Sequence, residues 1–239
     1  MDAAAGRSRH RTAAVAAAAP ELEDESLTDR AYRALEEEIV TLRLSPGTVV
    51  SEAMLSKRLG IGRTPIREAL HRLARERLVQ ILPRRGIVVS EINVLAQLRL
   101  LEVRRELERL LARSAARRAT PQQRREFDAI AKGMGDAARR NDDVLFMRLD
   151  REFNTLILEA ARNEFATGAM ELINGLSRRF WYVHYKQVAD MPLAARLHAD
   201  VATAVAAGNE KDAAGASDSL VDYIETVARA TVSADTAAR

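Results

Sequence analysis

Residues 51–77, SEAMLSKRLGIGRTPIREALHRLARER, constrain the fold more tightly than any other stretch of the chain. Ser51 can cap a helix whose buried face carries Leu55 and Leu59, and Gly60 can close that helix in a left-handed turn. Four residues later Thr64 can cap another helix, with Pro65 at its first position, where a missing amide costs nothing. Ile66, Leu70 and Leu73 then recur at the three-and-four spacing of a core stripe out to about Arg77. A tight turn joins the two helices.

The flanks supply the missing surfaces. Before the pair, TDRAYRALEEEIVTLR (28–43) places Ala31, Leu35, Ile39 and Leu42 on one helical face, with Thr28 as its cap. LSPGT breaks that helix. After the pair, LVQILPRRGIVVS alternates around Pro83, Arg84, Arg85 and Gly86, the pattern of a two-stranded hairpin with a basic tip. Helix, helix, turn, helix and hairpin make a winged helix-turn-helix, whose third helix enters a major groove with its N-terminal residues toward base edges.

Charge agrees. From Lys57 to Arg85 nine basic residues stand against Glu68 and Glu76, a net of +7, whereas the whole chain of 239 residues carries +3 and the remainder therefore −4. A basic module joined to a mildly acidic one is the footprint of a polyanion-binding domain fused to a domain with another task. Arg63 and Arg67, one helical turn apart, can offer guanidinium forks to the two acceptors on guanine's major-groove edge. Arg58 and Arg72 join the candidate DNA contacts, and Arg84, Arg85 and Gly86 at the hairpin tip would follow the backbone or enter the minor groove.

Beyond residue 94 strand signals vanish. Helices are expected over 95–119, with a stripe of Leu100, Val103, Leu107 and Leu110, then from Thr120 and Pro121 to about Arg140, and over 143–161, 164–187, 191–207 and 209–231. Six helices with short connections form a bundle that can enclose a small ligand. SRRFWYVHY (177–185) holds the single tryptophan, and Arg178, Trp181 and Tyr185 share a face. They can form a pocket wall in which Arg178 or Arg104 catches a carboxylate, or they can serve core packing or a dimer contact.

Other classes fall away. The chain has no cysteine, so disulfides, thiolate metal sites and cysteine nucleophiles are excluded. It has no glycine-rich phosphate loop, nucleophile elbow or HExxH, and its histidines at 10, 71, 184 and 198 suggest no triad, so no enzyme is expected. No apolar run is long enough to span a membrane, and the arginine-flanked alanine run Ala13–Ala19 is too weakly hydrophobic for a signal peptide, which points to the cytoplasm.

RTPIREALHRLARERLV followed by RRGIVV resembles the DNA-binding domain of the GntR family of bacterial transcription regulators over about residues 26–91. The resemblance implies operator recognition by Arg63, Thr64 and Arg67, with Gly86 of the wing at the minor groove. Ala53 stands where better-known members often carry a basic DNA contact. EVRRELE, DREFNTLILEAARN (150–163) and LHADVATAVAAGN (197–209) resemble the C-terminal effector-binding and dimerising domain, of FCD type, in the FadR-like branch of that family. Many members there bind a divalent metal such as zinc or nickel through one Asp and three His. Asp150 and His198 match two of these ligands, Asn154 replaces the next, and Tyr223 or Asp222 stands near the last.

These readings together predict a mostly α protein: a disordered tail (1–25), a winged helix-turn-helix domain (26–92, wing about 79–90), an all-α bundle of six or seven helices (94–231) and a second tail (232–239). The expected function is a homodimeric, ligand-responsive regulator, a repressor, reading an inverted-repeat operator. Its effector would be a small carboxylate held by Arg104, Asp150, Asn154, Arg178, Trp181, His198 and Tyr223, with an incomplete metal site at Asp150 and His198. The alternatives are a sequence-indifferent nucleic-acid binder and a metal-dependent helical enzyme with a DNA-binding module. Coupling between the domains is expected to pass through Glu91 to Leu95.

Overall fold

The computed structural model describes residues 25–237, without the side chains of 186–188 and 232–237. Three helices, α1 (Leu27–Val40), α2 (Glu52–Leu59) and α3 (Arg63–Arg75), and strands β1 (Val49–Val50), β2 (Val79–Leu82) and β3 (Gly86–Val89) form the N-terminal unit. Helices α4 (Val94–Arg118), α5 (Pro121–Arg140), α6 (Asp143–Ala161), α7 (Glu164–Val188), α8 (Met191–Ala207) and α9 (Glu210–Ala237) form the second. Among the described residues no helix is long and apolar enough to cross a membrane. The tail expected at 1–25 lies outside the described residues except for its last position, and α9 continues to Ala237, past the boundary expected at 231.

The caps explain most boundaries. Ser51 accepts from the Met54 amide at 3.2 Å, and Gly60 closes α2 at φ 66°. Thr120 and Gln123 form a reciprocal capping box ahead of Pro121, and Asn93, Asp142, Asn163 and Asp190 cap α4, α6, α7 and α8. Two expected caps are placed otherwise. Ser26, not Thr28, caps α1, which frees the Thr28 hydroxyl to donate to Glu68 at 2.7 Å. Gly62 begins α3 with no side-chain cap, so Thr64 lies inside the first turn as an exposed side chain.

The hairpin is a three-stranded antiparallel sheet in the order β1-β3-β2, with Val49 opposite Val88 and Gln80 also opposite Val88. The two residues of β1 follow the LSPGT break and pair across more than thirty residues of sequence. Gly86 opens β3 at φ 97°, where a Cβ would meet the Val50 carbonyl oxygen at 3.2 Å. Both the conformation and this close approach call for glycine. Leu35, Ile39, Leu55, Ile66, Leu73, Leu78 and Val89 form the core between the three helices and the sheet.

In the second unit α5 packs on α8, and α4 on α9 and α6. Phe127, Met134, Phe153, Leu156, Val201, Val205 and Leu220 fill the space between them. The stripe expected on α4 is rotated: Leu101 and Leu111 are its buried leucines, while Val103 and Leu110 are 54% and 42% exposed. The two units touch through α7. Leu176 packs into the winged core, Arg178 pairs with Glu36 of α1 at 2.6 Å, and Gly175 lies so close to Leu78 that a methyl there would stand 2.6 Å from its Cδ1.

Candidate DNA interface and effector pocket

The exposed start of α3 carries Arg63, Thr64 and Arg67. Among the described residues Arg63 has no ion-pair partner. Arg67 presents its fork to Glu52, with Nε and an Nη each 2.8 Å from one carboxylate oxygen, and this contact holds the Glu52 carboxyl below its ordinary range. The partner is on α2, 15 residues back along the chain. The guanidinium is thus already aligned for bidentate acceptance by two oxygen or nitrogen atoms, and a guanine edge would replace Glu52.

Arg84 and Arg85 stand exposed at the wing tip, Arg84 at φ 63°, and the turn is closed by the Arg85 amide donating to Leu82 O at 3.1 Å. Arg58 is exposed but leans on Glu38 of α1 at 3.1 Å. Arg72 is engaged inside the unit. Its guanidinium lies 3.7 Å from the centre of the Tyr32 ring, and it reaches Glu76 at 3.3 Å and Asp29 at 3.6 Å. Glu76 is buried and also accepts from the Tyr32 hydroxyl at 2.9 Å. Burial raises the Glu76 carboxyl, against the pull of Tyr32 and Arg72. This clasp ties α1 to the end of α3 through Arg72.

In the bundle, His198 of α8 is the centre of the expected pocket. Its Nε2 lies 3.1 Å from Asp150 Oδ1 of α6, its Nδ1 lies 2.8 Å from Ala194 O, and Phe146 and Phe153 set their rings edge-on to it. Both ring nitrogens therefore face acceptors, a geometry only the imidazolium can satisfy with two N–H donors. Burial works against that charge, but Asp150, with smaller help from Ala194 O and Glu108, outweighs it and raises the His198 pKa above its ordinary value. Asn154 donates its amide to Asp150 Oδ1 at 3.1 Å and to Asp150 O at 2.8 Å. Arg104, largely buried on α4, pairs with Glu108 one turn on.

Two expected pocket residues are used elsewhere. Arg178 spans to Glu36 of α1, and the Tyr223 hydroxyl donates to Asp190 O at 2.9 Å, holding the start of α8. Trp181 stacks on Tyr185 and packs with Phe146, Ala194 and Ala195, beside the His198 cluster. The donor set does not suit a transition metal. It offers one carboxylate and one imidazole already bonded to each other, Asn154 turns its N–H toward Asp150, and the described residues hold no group of three His, Cys, Asp or Glu fit for a metal.

Comparison with known proteins agrees with this architecture. Residues 27–89 match the bacterial regulatory proteins of the gntR family and residues 99–223 match the FCD domain. The chain is 31% identical over 175 residues to the HTH-type transcriptional repressor RspR of Escherichia coli K12, covering 73% of this chain and 76% of that protein. It is 25% identical over 203 residues to the repressor GlaR of the same organism, covering 82% and 91%. Among solved structures, E. coli McbR/YncC superimposes with a TM-score of 0.70 at 20% identity over 87% of this chain and 99% of the other. A winged helix-turn-helix with an exposed arginine pair, an FCD bundle behind it and relatives that are transcription regulators, not enzymes, establish that the chain belongs to the GntR family of transcriptional regulators.

Proposed function

We propose that the protein is a cytoplasmic, homodimeric repressor that reads an inverted-repeat operator and is controlled by a small carboxylate bound in its FCD bundle. The observation that carries the DNA-reading half is the exposed pair Arg63 and Arg67 at the start of α3, with Thr64 between them and Arg84, Arg85 and Gly86 on the wing beside them. Arg58 adds a phosphate contact from α2. A second copy would cover the apolar face that Val103 and Leu110 of α4 and Phe165 and Leu172 of α7 leave exposed. The names of RspR and GlaR support repression. The largely buried guanidinium of Arg104, beside Glu108 on α4, supports a carboxylate effector in the bundle.

Fluorescence anisotropy with the chain's upstream DNA and a scrambled duplex tests the reading. Arg63→Ala and Arg67→Ala should each weaken the preferred site by about 10- to 100-fold and the scrambled duplex far less, since a bidentate base contact discriminates by that order. Equal weakening on both duplexes would mean sequence-indifferent binding. A thermal-shift screen of small carboxylic acids with and without zinc should give stabilisation that does not depend on the metal.

A further inference from the structure

A cleft of about 530 Å³ lies where the two units meet, away from His198. Arg75 at the end of α3 and Arg77 just after it line it from the winged unit; Arg99 of α4 and Arg179 of α7 line it from the bundle, with Glu91 the one acid among its walls. Arg75, Arg77 and Arg99 are exposed and have no ion-pair partner among the described residues. Arg179 is only 2% exposed, yet its partners are the carbonyl oxygens of Ser90 at 2.8 Å and Glu91 at 3.2 Å, with no carboxylate in ion-pair contact. Burial disfavours the Arg179 charge and the Glu91 carboxylate offsets it only in part, so four guanidiniums share one acid in this cleft. Gln97 lines the same cleft at 5% exposure. Ile92, Leu100, Leu176 and Phe180 supply apolar walls between these polar groups.

We infer that this interdomain cleft binds a small organic anion, a doubly charged head on a compact apolar body, gripped from both units at once. Arg75, Arg77, Arg99 and Arg179 supply the positive field, Gln97 a neutral hydrogen bond, and the apolar walls the body's seat. Val103 and Leu172 at the outer end belong to the face assigned to the second copy, so the head sits at the inner, arginine-lined end. The phosphates of bound DNA are poor candidates, because α3 is 13 residues long and places its reading end roughly 18 Å from Arg75.

Isothermal titration of the full-length protein with phenyl phosphate at fixed ionic strength tests the site, with inorganic phosphate and benzyl alcohol in parallel. Saturable binding of phenyl phosphate is expected, tighter than inorganic phosphate, with none for the alcohol. Arg75→Gln and Arg99→Gln, both exposed positions whose folding is checked by circular dichroism, should each weaken it about 10-fold or more, as charge-assisted contacts do. Lys132→Gln, an exposed change of one positive charge on α5 away from the cleft, should leave it unchanged. No saturation at millimolar ligand, equal affinity for inorganic phosphate, insensitivity to both arginine variants, or equal loss in Lys132→Gln would each overturn the assignment.

Discussion

Asp150→Asn should destabilise the bundle at low pH and lose that effect as pH rises. In the native protein the imidazolium of His198 donates from Nδ1 to Ala194 O and from Nε2 to Asp150, with its side chain 12% exposed. Because the folded pKa of His198 is raised above the unfolded value, the pair's contribution is complete below the unfolded pKa, near 6.5, and is lost as pH rises through the folded one. A hydrogen bond to a charged group contributes about 1.5–3 kcal/mol. Taking about 2 kcal/mol and roughly 4 °C per kcal/mol for a unit of this size, the variant should melt about 8 °C lower at pH 6. At a pH above the folded pKa the wild-type histidine is neutral, and the difference should shrink toward the small loss from Asn154's bond to the carboxylate. Fluorescence of Trp181, the chain's single tryptophan, follows the right unit, since its ring packs with Phe146 beside His198. A melting difference that stays constant from pH 6 to pH 10 would refute the imidazolium assignment.

Two glycines of α7 make a matched pair. Gly168 has nothing within 4 Å of an added Cβ, so Gly168→Ala should raise the melting temperature through about 0.5–1 kcal/mol of helix propensity. Gly175→Ala gains the same propensity but drives a methyl onto fully buried Leu78, and about 1–3 kcal/mol of overpacking should cancel or reverse the gain and speed proteolysis of the junction near Glu91. Gly86→Ala should cost about 1–3 kcal/mol in the winged unit, from φ 97° and the Val50 carbonyl, and weaken DNA binding in an anisotropy assay while the Trp181 transition stays put.

What could be read from the sequence was local. The cap Ser51, the helix start at Thr120 and Pro121, and the closing Gly60 were legible because each acts within one turn of its own backbone. Strand β1 escaped because two residues carry no period and are selected only by pairing with β3. The rotation of α4 escaped because leucines occur on both sides of it, so periodicity cannot tell the face toward α9 and α6 from the face left open. Of the candidate site, Asp150 and His198 came from matching motifs, and the structure adds that they bond to each other. Glu52, Glu36 and Arg179 gave no signal, since their partners lie 15, 142 and 89 residues away.

Those distant partners bear on how a signal crosses the molecule. The expected route ran through the junction from Glu91 to Leu95, and Arg179 does grip that junction at Ser90 O and Glu91 O. Yet Arg179 is one member of a short run on α7 that also places Gly175 against Leu78, Leu176 in the winged core and Arg178 on Glu36. Two residues further on, Trp181 packs with Phe146, whose ring meets His198. Less than two turns of one helix thus touch both the winged unit and the cluster around His198. A ligand that binds one placement of α7 better than another shifts the winged units with it, and by no more than that difference in affinity. A carboxylic acid found by thermal shift should therefore change hydrogen exchange in residues 170–182 of α7 together with residues 86–104. Change confined to 86–104 would return the coupling to the junction alone, and no change in either segment would separate the bound acid from control of the DNA-binding unit.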